Sequence, residues 1–393
     1  MKLLWVKADF LHPTNRGGQI RTLETLKRLH ARHEVHYVAL NNGNPEGVSR
    51  SSEYCSRAYP IDHYVPEKNT IAFAGQLLKG FVTSLPVAVS RYESGRMKRE
   101  IEALSRKEKL DCTVCDFLFP APNIPDLASC VLFQHNVEAM IWKRHVENAP
   151  TPAHRFYFQG QANRMLAFEG QVCRSVKSII AVSDVDADLM RREYGARRVS
   201  SVSTGVDVGY FTPRASAARI ADLVFAGSMD WMPNIDGAEW FVREILPFIR
   251  KRKPDCSVVI AGRKPTAAVL ALAKNDPRIR VTGTVPDIRP YLWGAMVSIV
   301  PLRTGGGTRL KIFEAMAARV PVVSTTIGAE GLPVENGAQI HIADDPQAFA
   351  ERCLDLIENQ AGRARMTEAA WEMVSSRFSW DAAVKEFERL LTR

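Results

Sequence analysis

Three consecutive glycines, Gly305, Gly306 and Gly307, stand between an apolar run at 296–300 and a helical pattern that opens at Thr308 and Leu310. Glycine lets a backbone approach an anion closely, and a helix N-terminus presents unpaired N–H groups at the positive end of its dipole. A phosphate suits that combination. Arg303, Arg309 and Lys311 add cationic donors, and charge-assisted bonds to a diphosphate are about twice as strong as neutral ones. Glu314, further along the same expected helix, is a carboxylate able to accept two hydroxyl hydrogen bonds from a ribose. The spacing is neither the Walker pattern, which ends in Gly-Lys-Ser/Thr, nor the dinucleotide fingerprint G-x-G-x-x-G.

The elements that must position these groups follow from hydrophobic patterning. Short apolar runs alternate with longer helical patterns, the signature of parallel α/β layers. Strands are predicted at 2–8, 34–40, 62–66, 111–118, 130–134, 177–182 and 198–203, with helices at 18–31, 70–83, 90–108, 153–175 and 184–194. An aperiodic, proline-containing stretch at 206–220 then reads as a linker between domains. A second series places strands at 221–227, 256–261, 278–282, 296–300, 320–324 and 338–342, with helices near 235–250, 266–274, 308–318 and 346–359. The expected organisation is therefore α/β: two Rossmann-like domains, 1–205 and 221–377, implying a cleft, with a closing helix in 378–393 that Ser379 or Asp381 caps. That last helix carries an apolar face of Trp380, Ala383, Val384, Phe387, Leu390 and Leu391, expected to pack back toward the N-terminal domain.

Bulk properties exclude several classes of function. No run approaches the roughly 18 to 20 apolar residues that cross a bilayer, and the start runs into Lys7 and Asp9 where a signal peptide would continue its apolar core. Seven cysteines are scattered, and the close pair Cys112 and Cys115 lies in a strand-like run with no second pair at zinc-ligand spacing. A reducing, cytoplasmic location is the expectation. The net charge of +9 is concentrated in residues 1–200, with 28 Lys and Arg against 21 Asp and Glu. Such a balance favours phosphorylated or anionic partners, yet no nucleic-acid-binding module or basic tract with interleaved aromatics is present.

From about 224 to 332 the chain resembles the retaining glycosyltransferases of family 4, which have the GT-B fold. The resemblance rests on Phe225-Ala-Gly-Ser-Met-Asp-Trp-Met-Pro-Asn234, Gly283-Thr-Val-Pro-Asp-Ile-Arg289, the triple-glycine segment and Pro321-Val-Val-Ser-Thr-Thr-Ile-Gly-Ala-Glu-Gly331, in family order. It implies two Rossmann-like domains facing each other across a cleft, with a nucleotide-sugar in the second. The family's two donor-binding glutamates fall on Gly306 and Glu314, so the first is missing here. Relatives also carry Arg and Lys after the first strand of the second domain. Here Gly227 is followed by Ser228, leaving Arg309 and Lys311 as the replacements. The resemblance further implies a donor-side glycine loop at Gly17 and Gly18, an active-site histidine at His135, a nucleotide flank at Arg263 and a resting place for the base at Val285.

The resemblance implies front-face substitution with retention, in which the leaving phosphate helps deprotonate the acceptor, with no metal and no cofactor besides the donor. His135, Arg309, Lys311 and Glu314 are its catalytic candidates, and Leu310 joins the glycines as a donor contact. The acceptor is expected to be a glycan, a lipid-linked sugar or a small molecule. A nucleotide-sugar epimerase and a catalytically silent nucleotide-sugar binder are the alternatives. The basic stretch 91–109 carries a further expectation, peripheral contact with an anionic membrane at its inner face.

Overall fold

Seven strands form a wholly parallel first sheet: β1 (Lys2–Lys7), β2 (Glu34–Asn41), β3 (Arg57–Asp62), β4 (Cys112–Asp116), β5 (Cys130–Gln134), β6 (Ser178–Ala181) and β7 (Val199–Ser201), in the order β3-β2-β1-β4-β5-β6-β7. A second parallel sheet has β8 (Ala221–Ala226), β9 (Val258–Ala261), β10 (Ile279–Val281), β11 (Ala295–Val300), β12 (Val322–Ser324) and β13 (His341–Ile342), ordered β10-β9-β8-β11-β12-β13. The computed structural model describes residues 1–14, 17–66, 83–147, 149, 151–213, 217–304 and 310–392. The helix predicted at 70–83 lies almost wholly outside them. The chain divides into a unit of Met1–Ser203 with Ala383–Arg393 and a unit of Thr204–Ala382.

In the first unit, β1 is covered on both faces, which is why Leu3, Leu4, Trp5 and Val6 read as one apolar run with no alternation. The helix Trp380–Leu391 sends Val384, Phe387 and Leu391 into this unit's core, with the Phe387 ring 5.8 Å from Trp5 and 4.7 Å from Phe133. Ser379 Oγ accepts from Ala382 N at 3.2 Å and so caps it. β3 begins five residues before the strand predicted at 62–66. Pro60 masks it in the sequence, and is tolerated because β3 is the edge strand.

The helix Glu138–Glu147 has no counterpart among the predicted elements. Its capping group comes from another helix, Pro152–Ser175: the Glu169 carboxylate accepts from Glu138 N and Ala139 N, both at 2.9 Å. A cap supplied 30 residues downstream leaves no local start signal.

In the second unit, the helix predicted at 235–250 is broken into Met232–Trp240, a π-helical turn Phe241–Ile245 and Leu246–Arg252. Pro247 accounts for the break, since it removes an amide donor and crowds the preceding turn. Part of the 206–220 stretch read as a linker is built into this unit. Val206 N donates to Phe378 O at 2.8 Å, and Trp293 Nε1 donates to Phe211 O at 2.6 Å.

Strand order reverses between β1 and β4 in one sheet and between β8 and β11 in the other. Ligands of open parallel sheets bind outside the carboxyl ends of strands at such switch points. Lys7 and Asp116 close β1 and β4, and Gly227 and Pro301 follow β8 and β11.

Candidate functional site

The end of β8 is built around a close backbone approach. A Cβ at Gly262 would lie 1.6 Å from Gly227 O, so the residue after β9 has to be glycine. Met229 N donates to Arg263 O at 2.9 Å, which ties the two strand ends together. Gly227 is confined as well: a Cβ there would stand 2.8 Å from Asn234 Nδ2 and 2.9 Å from Lys311 Nζ.

The Lys311 ammonium therefore rests at the carboxyl end of β8, beside Gly227. It donates to Asn234 Oδ1 at 2.6 Å and lies 4.9 Å from the Phe225 ring centroid. Arg263 is exposed and donates through Nε to Ser228 Oγ at 2.7 Å, while Ser228 donates to Asp230 Oδ1 at 2.6 Å. Two cations, Lys311 and Arg263, thus flank Gly227–Ser228.

Glu314 lies one turn beyond Lys311 on the helix Leu310–Ala317, its carboxyl raised above the ordinary range by burial and partly relieved by Lys311. Among the described residues no side chain or amide donates to that carboxylate. Leu310, partly buried, opens the helix.

Gly305, Gly306, Gly307, Thr308 and Arg309 lie outside the described residues. Arg303 is committed elsewhere, forking onto Asp236 through Nε at 3.1 Å and Nη2 at 2.5 Å. Val285 is partly buried and follows Gly283, whose φ of 70° only glycine adopts without strain. Nearby Asp287 is held below the usual carboxylate range by the Arg289 guanidinium it accepts from.

The first unit has its own cluster at the ends of β1, β4 and β5. Asp116, fully buried, accepts from Trp5 Nε1 at 2.8 Å and Thr22 Oγ1 at 2.7 Å, and pairs with Lys7 Nζ at 3.0 Å. His135 Nε2 stands 2.8 Å from Asp116 Oδ1, and His135 Nδ1 is 3.0 Å from Arg21 Nη1. A guanidinium only donates, so Nδ1 is the acceptor and the ring proton sits on Nε2 toward the carboxylate.

Burial drives the His135 pKa down to about 3 against the pull of Asp116. Burial would raise Asp116, but Lys7, His135 and Thr22 outweigh it and hold the carboxyl far below its ordinary value. His135 is thus neutral, with both ring nitrogens turned on protein groups. Nitrogen NMR on histidine-labelled protein should find this ring as the neutral Nε2–H tautomer from about pH 8 down to about pH 5. A doubly protonated His135 at pH 6 would contradict the geometry.

Phe117 stacks on His135, ring centroids 3.9 Å apart, with its backbone at φ 68°. That conformation is costly for a bulky residue and marks a position fixed by its surroundings. A Cβ at Gly18 would come within 2.6 Å of the Phe117 ring, so the second glycine of the expected loop is needed for packing. Gly17, which opens the helix Gly17–His30, faces open space. A cavity of about 130 Å³ adjoins this cluster, lined by Lys7, Asp9, Gln19, Tyr92, Phe117 and Phe119 among others.

Sequence reading missed Lys7, Asp116 and Asn234. The signal it passed over is a charged residue closing an otherwise apolar strand, as Lys7 closes β1 and Asp116 closes β4. The basic helix Gly95–Lys107 buries Met97, Ile101 and Leu104, so it presents cations without an apolar anchor for a bilayer. No helix among the described residues is long and apolar enough to cross a membrane, and none of their His, Cys, Asp and Glu side chains cluster as a metal site.

Residues 221–359 match the family Glycosyl transferases group 1. Over 392 residues, 96% of each chain, the protein is 21% identical to an uncharacterized 44.6 kDa protein in the cps region of Klebsiella pneumoniae. It is 24% identical over 245 residues, 56% of each chain, to the D-inositol 3-phosphate glycosyltransferase of Nocardiopsis dassonvillei. Among solved structures, Anabaena HepE in complex with UDP and glucose superposes with a TM-score of 0.65 at 12% identity, covering 100% of this chain and 99% of that one. Sucrose-phosphate synthase of Thermosynechococcus elongatus gives a TM-score of 0.67 at 14% identity, covering 99% and 98%.

Proposed function

We propose that the chain, whose segment 221–359 matches the family Glycosyl transferases group 1 and whose two parallel sheets give it the GT-B fold, transfers a sugar from a nucleoside-diphosphate donor with retention of configuration. The donor's diphosphate would lie against the cations at the end of β8, Lys311 and Arg263, with Arg309 and the glycines Gly305, Gly306 and Gly307 completing its seat. Its ribose would be held by Glu314. The bond from the anomeric carbon to the β-phosphate oxygen breaks as the acceptor oxygen bonds on the same face, and the acceptor's proton passes to the departing phosphate. Charge building on that phosphate is met by fixed cations, so this reading asks for no metal.

The supporting observation is Glu314, a carboxylate drawn into the protein beside a lysine and offered no donor by the described residues. Two ribose hydroxyls would supply what it lacks. The UDP in the HepE structure makes UDP-sugars the first donors to try. The cps-region relative supports polysaccharide or glycoconjugate assembly as the setting, with a glycan or lipid-linked acceptor. The cluster of Asp116, His135 and Phe117, with its adjoining cavity, is the proposed acceptor side, and cytoplasmic location is part of the same reading.

Glu314→Ala should weaken UDP binding by about ten- to a hundredfold, the range for a hydrogen bond to a charged group. It should also erase the preference for UDP over its 2′,3′-dideoxy analogue. Calorimetry on the folded variant measures both, and unchanged UDP affinity would remove Glu314 from the site. Donor consumed without any acceptor and without nucleotide release would indicate epimerisation instead.

A further inference from the structure

Asn234 is the third residue of the helix Met232–Trp240, inside its first turn, and the residue before that helix, Trp231, supplies no side-chain cap. Asn234 is only 2% exposed. Its Nδ2 donates to Ser228 O at 2.8 Å, and its Oδ1 accepts from Lys311 Nζ at 2.6 Å, across 77 residues of sequence. One buried amide thus fastens the backbone that leaves β8 to the ammonium arriving from the helix after β11.

A lysine is a point charge on a flexible stem, and holding one in place costs side-chain freedom. Asn234 is neutral, so it fixes the ammonium without cancelling its charge, which a carboxylate at the same spot would do. Gly227 is the second half of the device, since any side chain there would occupy the space of the Asn234 amide and the Lys311 ammonium together.

We propose that Asn234 is a positioning residue that presets the Lys311 ammonium for the β-phosphate of the donor. The proposal rests on the nucleotide reading above, and its test separates the two. UDP, UMP and uridine are titrated by calorimetry into the wild type, Asn234→Ala, Lys311→Ala and the double variant.

Asn234→Ala should weaken UDP about tenfold or more, narrow the gap between UDP and UMP, and leave uridine within about twofold. The double variant should bind UDP no worse than Lys311→Ala alone, because Asn234 acts only through that lysine. A merely structural asparagine would instead weaken all three ligands and add its loss to that of Lys311. Either that pattern or unchanged UDP binding by Asn234→Ala overturns the positioning role and leaves the nucleotide site standing. A wild type that binds no nucleoside diphosphate overturns the site and the role together. Should Asn234→Ala fail to fold, Asn234→Leu, which nearly keeps the volume of the carboxamide and withdraws the acceptor from Lys311, carries the same expectations.

Discussion

Replacing Lys311 by alanine will lower the turnover of nucleotide-sugar about a hundredfold or more, the cost of removing one fixed electrostatic donor from a transition state that develops negative charge. The ammonium is fixed before any ligand arrives, by Asn234 and by the Phe225 ring beneath it, so its contribution requires little reorganisation. The loss should fall more on kcat than on the KM for the donor, because charge on the leaving phosphate grows as its bond breaks. Lys311→Arg should recover only part of the rate. A planar fork cannot occupy the small space that Gly227 leaves for an ammonium. Steady-state kinetics on folded variants decide the point: wild-type turnover in Lys311→Ala would exclude this lysine from the chemistry.

The second large effect is on stability. Asp116→Ala should destabilise the first unit by about 3–5 kcal/mol, because it leaves the Lys7 ammonium buried with its carboxylate gone. A unit of this size should then melt roughly 10 °C lower. The double change Lys7→Met with Asp116→Leu should be milder than Asp116→Ala alone, since it removes the stranded ammonium along with its partner.

The pH dependence has a definite sign. Asp116 is held far below its ordinary value in the folded state, so its stabilisation is present above the unfolded value of about 3.9 and fades as the pH falls below it. His135, depressed to about 3, acts in the same direction: the unfolded imidazole takes up a proton below about pH 6.5 while the folded one does not. The share of stability carried by these two groups should therefore decline from about pH 6.5 downward, opposed by the buried Glu138 carboxyl, which burial raises to about 7, and Asp116→Ala should flatten the lower part of that share. Urea titrations across this range measure it, and a variant as stable as the wild type at neutral pH would contradict the cost assigned to the broken pair.

How much of this could be read from the chain alone depended on distance along it. Both sheets were legible because a parallel strand covered on both faces is simply a short apolar run, as 2–6 and 221–226 are. Lys311 and Glu314 were legible as candidates because they share one helix turn with each other and follow the glycines directly. Trp5 and Lys7 from β1, Thr22 from the helix after it and His135 from the end of β5 converge on Asp116, with Trp5 111 residues away, and no window of sequence contains that cluster. Asn234 was quoted within a motif, yet its task became visible only when Lys311 was found beside it. The helix Glu138–Glu147 escaped for the same reason, its cap being supplied by Glu169.

The order of synthesis gives the closing helix a further meaning. Val384, Phe387, Leu390 and Leu391 belong to the core around Trp5 and Phe133, yet the ribosome makes them only after all of 204–382. The first unit is begun first and can be completed last. During translation its apolar floor beneath β1 stays uncovered while the second unit, whose core holds nothing from 383–391, is free to fold. A nascent chain stalled before Ala383 should accordingly expose that floor to chaperones and proteases, and release of the remaining residues should close it.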